Sequence, residues 1–334
     1  MAHQLETNHL GQIEACFAGN GSAVNPAWHN LGKLIVDAVT SRDMIQFSGM
    51  DWDVGLEELK TESGIVVPDY FATVRKDSGK ILGVVGKRYK IVQNRDAFAF
   101  LDSLTSSGEM LYESAGVLRG GGTVWCLARL PSVDEIAPGD SSYRYVLFST
   151  SHDGTGAIQA IPTSIRIVCA NTLAVAVGSN RGIRHTENVR DRMAEARLIL
   201  SQYDKSFDLF RDSARKLAET KYSADQAKQY ILELFPEVRE EGKSQTIRNN
   251  KVEQIRAAWR NERNNLPSIK GTWWQLVNAV TETIDHDSTR TSWKRDQHKA
   301  ENRFQSLFAG AGADMKTRAL NLAKQIAGIP IAAV

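Results

Sequence analysis

The sequence predicts an α+β fold: a largely antiparallel, hairpin-rich sheet with helices, followed by a basic all-helical region. Three observations carry this expectation. Short alternating apolar runs joined by tight turns fill residues 51–180, the pattern of half-buried strands. Apolar residues at three- and four-residue spacing fill residues 181–334, the pattern of amphipathic helices. Charge divides at the same place. Residues 1–180 hold 14 Lys and Arg against 19 Asp and Glu, whereas residues 181–334 hold 27 against 20. Unlike halves of this kind suggest different partners for each.

Residues 1–50 read as a loop-rich N-terminal arm, because Gly19, Asn20, Gly21, Asn25 and Pro26 punctuate it. Thr40 to Asp43 has the chemistry to cap a short helix beginning near Met44. Trp52, Val54 and Leu56 alternate with polar residues, a strand. The run from Phe71 meets Asp77-Ser78-Gly79-Lys80 and resumes at Ile81, which predicts a hairpin. Asn94 is placed to cap a helix bearing Phe98, Leu101 and Leu104. Two more hairpins are expected, Glu109–Leu118 with Thr123–Leu130 and Tyr143–His152 with Ala157–Ile161, with a loop from Pro131 to Ser142 between them. Thr163-Ser164 then opens an expected helix over Ile165–Val177. Further helices are predicted from about residue 186 onward, then over Ser223–Phe235, Ser244–Asn264, Thr272–Ile284, Ser292–Phe308 and Asp314–Ala327. The domains are therefore taken as 1–50, 51–180 and 181–334.

Several function classes lack their residues. No apolar run of eighteen or more residues marks a membrane span, and Met1 to Asn20 lacks the basic and apolar regions of a secretory signal. Cys16, Cys126 and Cys169 are odd in number and widely spaced, which fits buried thiols in a reducing compartment. A cytoplasmic protein with no membrane partner is expected. Neither a dinucleotide fingerprint nor a phosphate loop occurs, and Gly154-Thr155-Gly156 is explained by a hairpin turn. No metal or cofactor is expected. Asp285-His286-Asp287 is the sole tight acid–histidine group. It is either a helix end or, with further ligands, the core of a metal-dependent hydrolase or nuclease.

Basic clusters are the other chemistry. Lys87-Arg88-Tyr89-Lys90 sets three cations and a ring beside a hairpin, suited to phosphates and a stacked base, or simply to guarding a strand edge. Arg248, Lys251, Arg256, Arg260 and Arg263 lie on one predicted helix with several asparagines, and the last three share one face, either a phosphate tracker or an ordinary solvated surface. Arg290, Trp293, Lys294, Arg295, Lys299 and Arg303 form a second basic stretch. Arg166, near the start of its predicted helix, opposes the helix dipole and calls for a partner, a buried acid or a phosphate.

Two segments, Ser164–Ala176 (SIRIVCANTLAVA) and Trp274–His286 (WQLVNAVTETIDH), together resemble the phage/plasmid-like protein family, also called domain of unknown function 932. Gly86–Asn94, Ala97-Phe98 and His185-Thr186 support the likeness. Thr283 stands where an aromatic is more usual. The resemblance spans about residues 28–325 and implies carriage by phages, plasmids or integrated elements. A further similarity, to single-strand annealing proteins of the Rad52-like kind, implies ring-forming homo-oligomers that hold single-stranded DNA, with a phage exonuclease as a possible partner. The expected function is thus binding and annealing of single-stranded DNA in recombination, without bond chemistry. Its cations would be Lys87, Arg88, Lys90, Arg166, Arg248, Lys251, Arg256 and Arg260, with Tyr89 stacking. The alternatives are the Asp285-His286-Asp287 hydrolase and a non-enzymatic protein-interaction factor.

Overall fold

Tight turns with glycine or aspartate at their tips organise the first half into two antiparallel sheets. A computed structural model describes residues 7–18, 32–35, 40–99, 101–102, 110–155, 159–168, 172–175, 189–237, 243–287 and 310–330. Ten strands are found among them: β1 (Ala15–Ala18), β2 (Lys33–Ile35), β3 (Val54–Lys60), β4 (Val66–Arg75), β5 (Lys80–Gly86), β6 (Leu111–Leu118), β7 (Thr123–Ala137), β8 (Asp140–Ser151), β9 (Gln159–Arg166) and β10 (Thr172–Ala174). The large sheet runs β10-β9-β8-β7-β6-β1-β2, and β3-β4-β5 form a separate three-stranded sheet. All pairs are antiparallel except β1 with β2. An α+β fold with antiparallel sheets is therefore present.

Seven helices are found among the described residues: α1 (Ser41–Phe47), α2 (Asn94–Ala99), α3 (Val189–Glu219), α4 (Ala224–Leu234), α5 (Lys243–Arg260), α6 (Trp273–Glu282) and α7 (Ala311–Ile326). Two begin as their sequences dictate. Thr40 and Asp43 exchange side-chain and backbone hydrogen bonds in a capping box, as do Ser223 and Gln226. Helix α1 starts at Ser41 rather than near Met44, because the box places Thr40 outside the helix. A π-turn, Thr283–Asp287, prolongs α6. The predicted helix over Ser292–Phe308 lies outside the described residues, as do His185-Thr186 and the basic stretch Arg290–Arg303.

Four expectations are corrected. The described part of Ile165–Val177 is not helical: β9 continues through Ile165 and Arg166, and β10 follows at Thr172. Ile165, Cys169 and Leu173 match a helical period, but pairing of Tyr143 with Ile165 and of Thr172 with Ile165 satisfies that backbone in the sheet. Pro131–Ser142 is not a loop either. Strand β7 crosses Pro131 at a register shift and turns only at Pro138-Gly139, the place in a strand where a missing N–H is tolerated. Asn94 opens α2 but caps nothing there; its amide donates to Met50 O at 2.8 Å and its oxygen meets His152 Nε2 at 2.7 Å. The N-terminal arm is not merely loop: β1 sits inside the large sheet, between β6 and β2.

One buried apolar cluster joins both halves. Cys16, Cys126, Val146 and Phe148 on one sheet face share it with Phe207 of α3, Tyr230 of α4, Ile255 of α5, Trp273 and Trp274 of α6 and Leu320 of α7. The helices thus finish the sheet's core rather than forming a bundle of their own. Trp273 and Trp274 are wholly buried packing residues, with Tyr222 and Tyr230 edge-on to Trp273. Cys16 and Cys126 are buried thiols, and burial pushes the Cys16 thiol up to about 12. The small sheet docks on the β8 end of the large one. An added Cβ at Gly83 would stand 2.4 Å from Asp153 O, so no larger residue fits at that contact.

Candidate functional site

The two motif-bearing segments meet in a buried polar seam between the sheet and α6. Arg166, at the end of β9, points to the helix-covered face. Its Nε and Nη2 donate to Asp140 Oδ1 at 2.6 Å and Oδ2 at 3.0 Å, a two-pronged pair. Trp274 Nε1 of α6 donates to the same Asp140 Oδ2 at 2.9 Å. Arg166 Nη1 continues to Asn264 Oδ1 at 2.6 Å, and the Asn264 amide reaches Ala258 O and Glu282. Arg166 is 2% exposed and Asp140 and Asn264 are not exposed at all. Arg166 is therefore withdrawn from the set of phosphate-facing cations; of the two partners the sequence left open, the buried acid is present.

A buried triad lies at the π-turn that ends α6. Lys316 Nζ of α7 donates to Asp285 Oδ1 at 2.7 Å and to Thr172 Oγ1 at 2.6 Å. The Thr172 N–H and hydroxyl both donate to Asp285 Oδ2, at 2.7 and 3.0 Å. Lys316 is 1% exposed. Asp285 is thus a structural carboxylate, satisfied on both oxygens by donors from two elements, β10 and α7. No group of three His, Cys, Asp or Glu that could hold a metal ion exists among the described residues. Half-buried His286 adjoins this triad, but Asp285, its neighbour in the proposed metal site, is already spent on the triad.

A third buried pair fastens α3. Arg144 of β8 grips Asp134 at 2.8 and 2.7 Å and Asp208 at 2.7 Å, its guanidinium 5.3 Å above Phe207. Burial by itself would lower the Arg144 pKa; its hydrogen bonds to Asp134 and Asp208 outweigh it, and the net shift is upward. The hydrogen bond that Asp208 accepts from Arg144, with the Arg144 charge and neighbouring Arg211 adding to it, holds the Asp208 carboxyl below the usual range.

The other expected binding residues are at the surface, in two places. Lys87, Arg88 and Lys90 are exposed on the turn leaving β5. Lys87 lies 3.2 Å from Asp69, both well exposed, so the pair is solvent-screened. Tyr89 is half-buried, its hydroxyl 3.4 Å from Ser151 O, and burial followed by the nearby Asp153 raises its pKa. On α5, Arg256 and Arg260 are exposed, while Arg248 and Lys251 are half-buried. Arg248 Nε is committed to Phe235 O at 3.1 Å, and Arg256 pairs with Glu253. The two clusters are not one patch. Tyr89 marks the Ser151 end of β8, whereas Asn264, just beyond α5, is tied through Arg166 to the Asp140 end. Twelve residues of strand, at about 3.3 Å each, separate these ends.

Sequence reasoning missed the partners Asp140, Asn264, Thr172 and Lys316. Only their polar character inside apolar surroundings signalled them, and the pairings join residues up to 144 positions apart.

Fold and seam together define an α+β protein whose sheet and C-terminal helices are pinned by buried ion pairs, with two of its expected basic clusters, at 87–90 and on α5, left at the surface. The chain belongs to the family described as Domain of unknown function (DUF932), whose model matches residues 81–308. That span contains both motif segments, the seam's Asp140, Arg166, Asn264, Trp274 and Asp285, and both surface clusters. No curated protein and no solved structure matches the chain.

Proposed function

We propose that this protein binds single-stranded DNA as a component of a phage, plasmid or other mobile element, and promotes annealing of complementary strands without breaking or making bonds. The observation that carries the reading is the turn Lys87-Arg88-Tyr89-Lys90, which presents three exposed cations at the docking edge of the small sheet. Exposed Arg256 and Arg260 on α5, a helix with Glu253 as its sole acid, add a second basic surface. Two such surfaces, one at either end of β8, suit an extended anionic strand better than a compact ligand. The competing hydrolase is disfavoured because Asp285 is occupied by Lys316 and Thr172.

The test is fluorescence anisotropy of a labelled single-stranded oligonucleotide across a salt series, followed by an annealing assay with complementary strands. Binding that weakens steeply with salt is expected, since each phosphate contact releases counterion. No binding at about 50 mM salt, a concentration that favours phosphate contacts, would sink the reading.

A further inference from the structure

We infer that the aromatic platform for nucleic-acid bases is Tyr70, on the outer face of the three-stranded sheet, with the 87–90 cations as its phosphate-facing rim. This rests on the single-stranded DNA reading above and names the surface that contacts bases. The register fixes where Tyr70 sits. It pairs with Gly86, so no side chain stands across from its ring on β5, and Lys87 and Arg88 follow immediately. Lys87 N donates to Asp69 O at 2.9 Å, holding the basic turn against the residue that precedes Tyr70.

Alternation separates the two faces of this sheet. Gly83 and Val85 face the large sheet, where added or existing side-chain atoms approach Asp153 and Gly154. By the same alternation Tyr70 and Val84 point the other way, and Ile81, paired with Val74, joins them across the register shift. Their exposures are 54% for Tyr70, 55% for Val84 and 65% for Ile81. An accessible ring, continued by two branched aliphatic side chains and edged by three exposed cations, is the combination that sequence-tolerant single-strand binders use: bases stack while the backbone is neutralised. Tyr89 does not supply it, because its hydroxyl is turned to Ser151 and its ring is half-buried. The cationic rim favours a polyanion over an uncharged or basic protein surface.

The experiment compares the full chain with Tyr70→Ala, Tyr70→Phe and Lys87→Ala/Arg88→Ala, using a labelled oligothymidylate and an abasic strand of equal length. Thermal melts verify that each variant is folded. Tyr70→Ala should weaken oligothymidylate binding about ten-fold with an unchanged salt slope, the scale of one missing stack. Tyr70→Phe should bind like the parent chain, and the abasic strand should bind the parent and Tyr70→Ala equally. Lys87→Ala/Arg88→Ala should instead flatten the salt slope. If the parent chain binds but Tyr70→Ala binds equally well, the platform is refuted while single-strand binding stands. If the parent chain does not bind, both readings fall. Loss of self-association in Tyr70→Ala with DNA binding intact would assign this face to contact between copies and overturn the platform.

Discussion

The buried seam and the basic turn use the same residue types to opposite ends. Arg166 and Lys316 are enclosed, each with a carboxylate at 2.6–2.7 Å and a further polar partner. Lys87, Arg88 and Lys90 stand in water, and the Lys87–Asp69 pair at 3.2 Å is open on both sides. The difference teaches that a cation's role follows from its desolvation. In the seam, removing one partner strands a charge away from water. On the turn, removing a partner changes little in the fold but alters the field that a polyanion meets. Arg144 with Asp208 lies between these extremes, a buried guanidinium reaching a half-exposed carboxylate.

The largest effect should come from cutting the seam. Lys316→Met leaves Asp285 buried without its cation, and Arg166→Met does the same to Asp140. Each should cost about 3–5 kcal/mol of stability, measured by urea denaturation. A loss below about 1 kcal/mol, the scale of an exposed pair, would erase the distinction between seam and surface. Next, replacing both partners of the triad, Asp285→Leu with Lys316→Met, should be milder than Lys316→Met alone, because no unpaired charge remains. A double-mutant cycle reads this coupling directly.

On the turn, Lys87→Ala/Arg88→Ala/Lys90→Ala should leave stability within about 0.5 kcal/mol while lowering single-strand affinity. Its log–log salt slope should shrink by about 0.7 for each phosphate that is no longer neutralised. Unchanged affinity with a shifted melting temperature would reverse the comparison.

The smallest effect concerns Asp208. Its pKa is depressed in the folded chain, so its pairing stabilises at pH values above the unfolded carboxylate range and is lost as pH falls through the folded value. Asp208→Asn should therefore cost up to about 1 kcal/mol at neutral pH, given the exposure of the carboxylate. The gap from the parent chain should close as pH falls below about 4, the ordinary carboxylate value. A gap independent of pH would mean that the carboxylate's charge is not what matters there.

Local chemistry explains why some elements were legible in the sequence. Thr40 with Asp43, and Ser223 with Gln226, announce helix starts because the capping bonds span three residues. Asp77 to Lys80 announces the β4–β5 hairpin because the turn needs Gly79 at φ 68°. The segment from Ile165 was misread for the opposite reason. Its apolar spacing fits either a helix or a strand, and the choice depends on β8, some twenty residues upstream. Of the expected site, the turn cations and the exposed arginines of α5 were legible as charge patterns. Burial of Arg166, the turning-in of Tyr89 and the exposure of Tyr70 were not, since each depends on which strand stands opposite.

By itself, then, the sequence determined the α+β class, most hairpins, the capped helix starts and the basic clusters at 87–90 and on α5, all products of interactions within a few residues. Tertiary structure alone decided that β1 enters the large sheet, that Arg166 closes on Asp140 and Asn264, and that Asp285 closes on Lys316 and Thr172. It also set the two basic clusters at opposite ends of β8. Those outcomes depend on contacts between residues tens to more than a hundred positions apart, and desolvation at such contacts, rather than residue type, sets what a charge does.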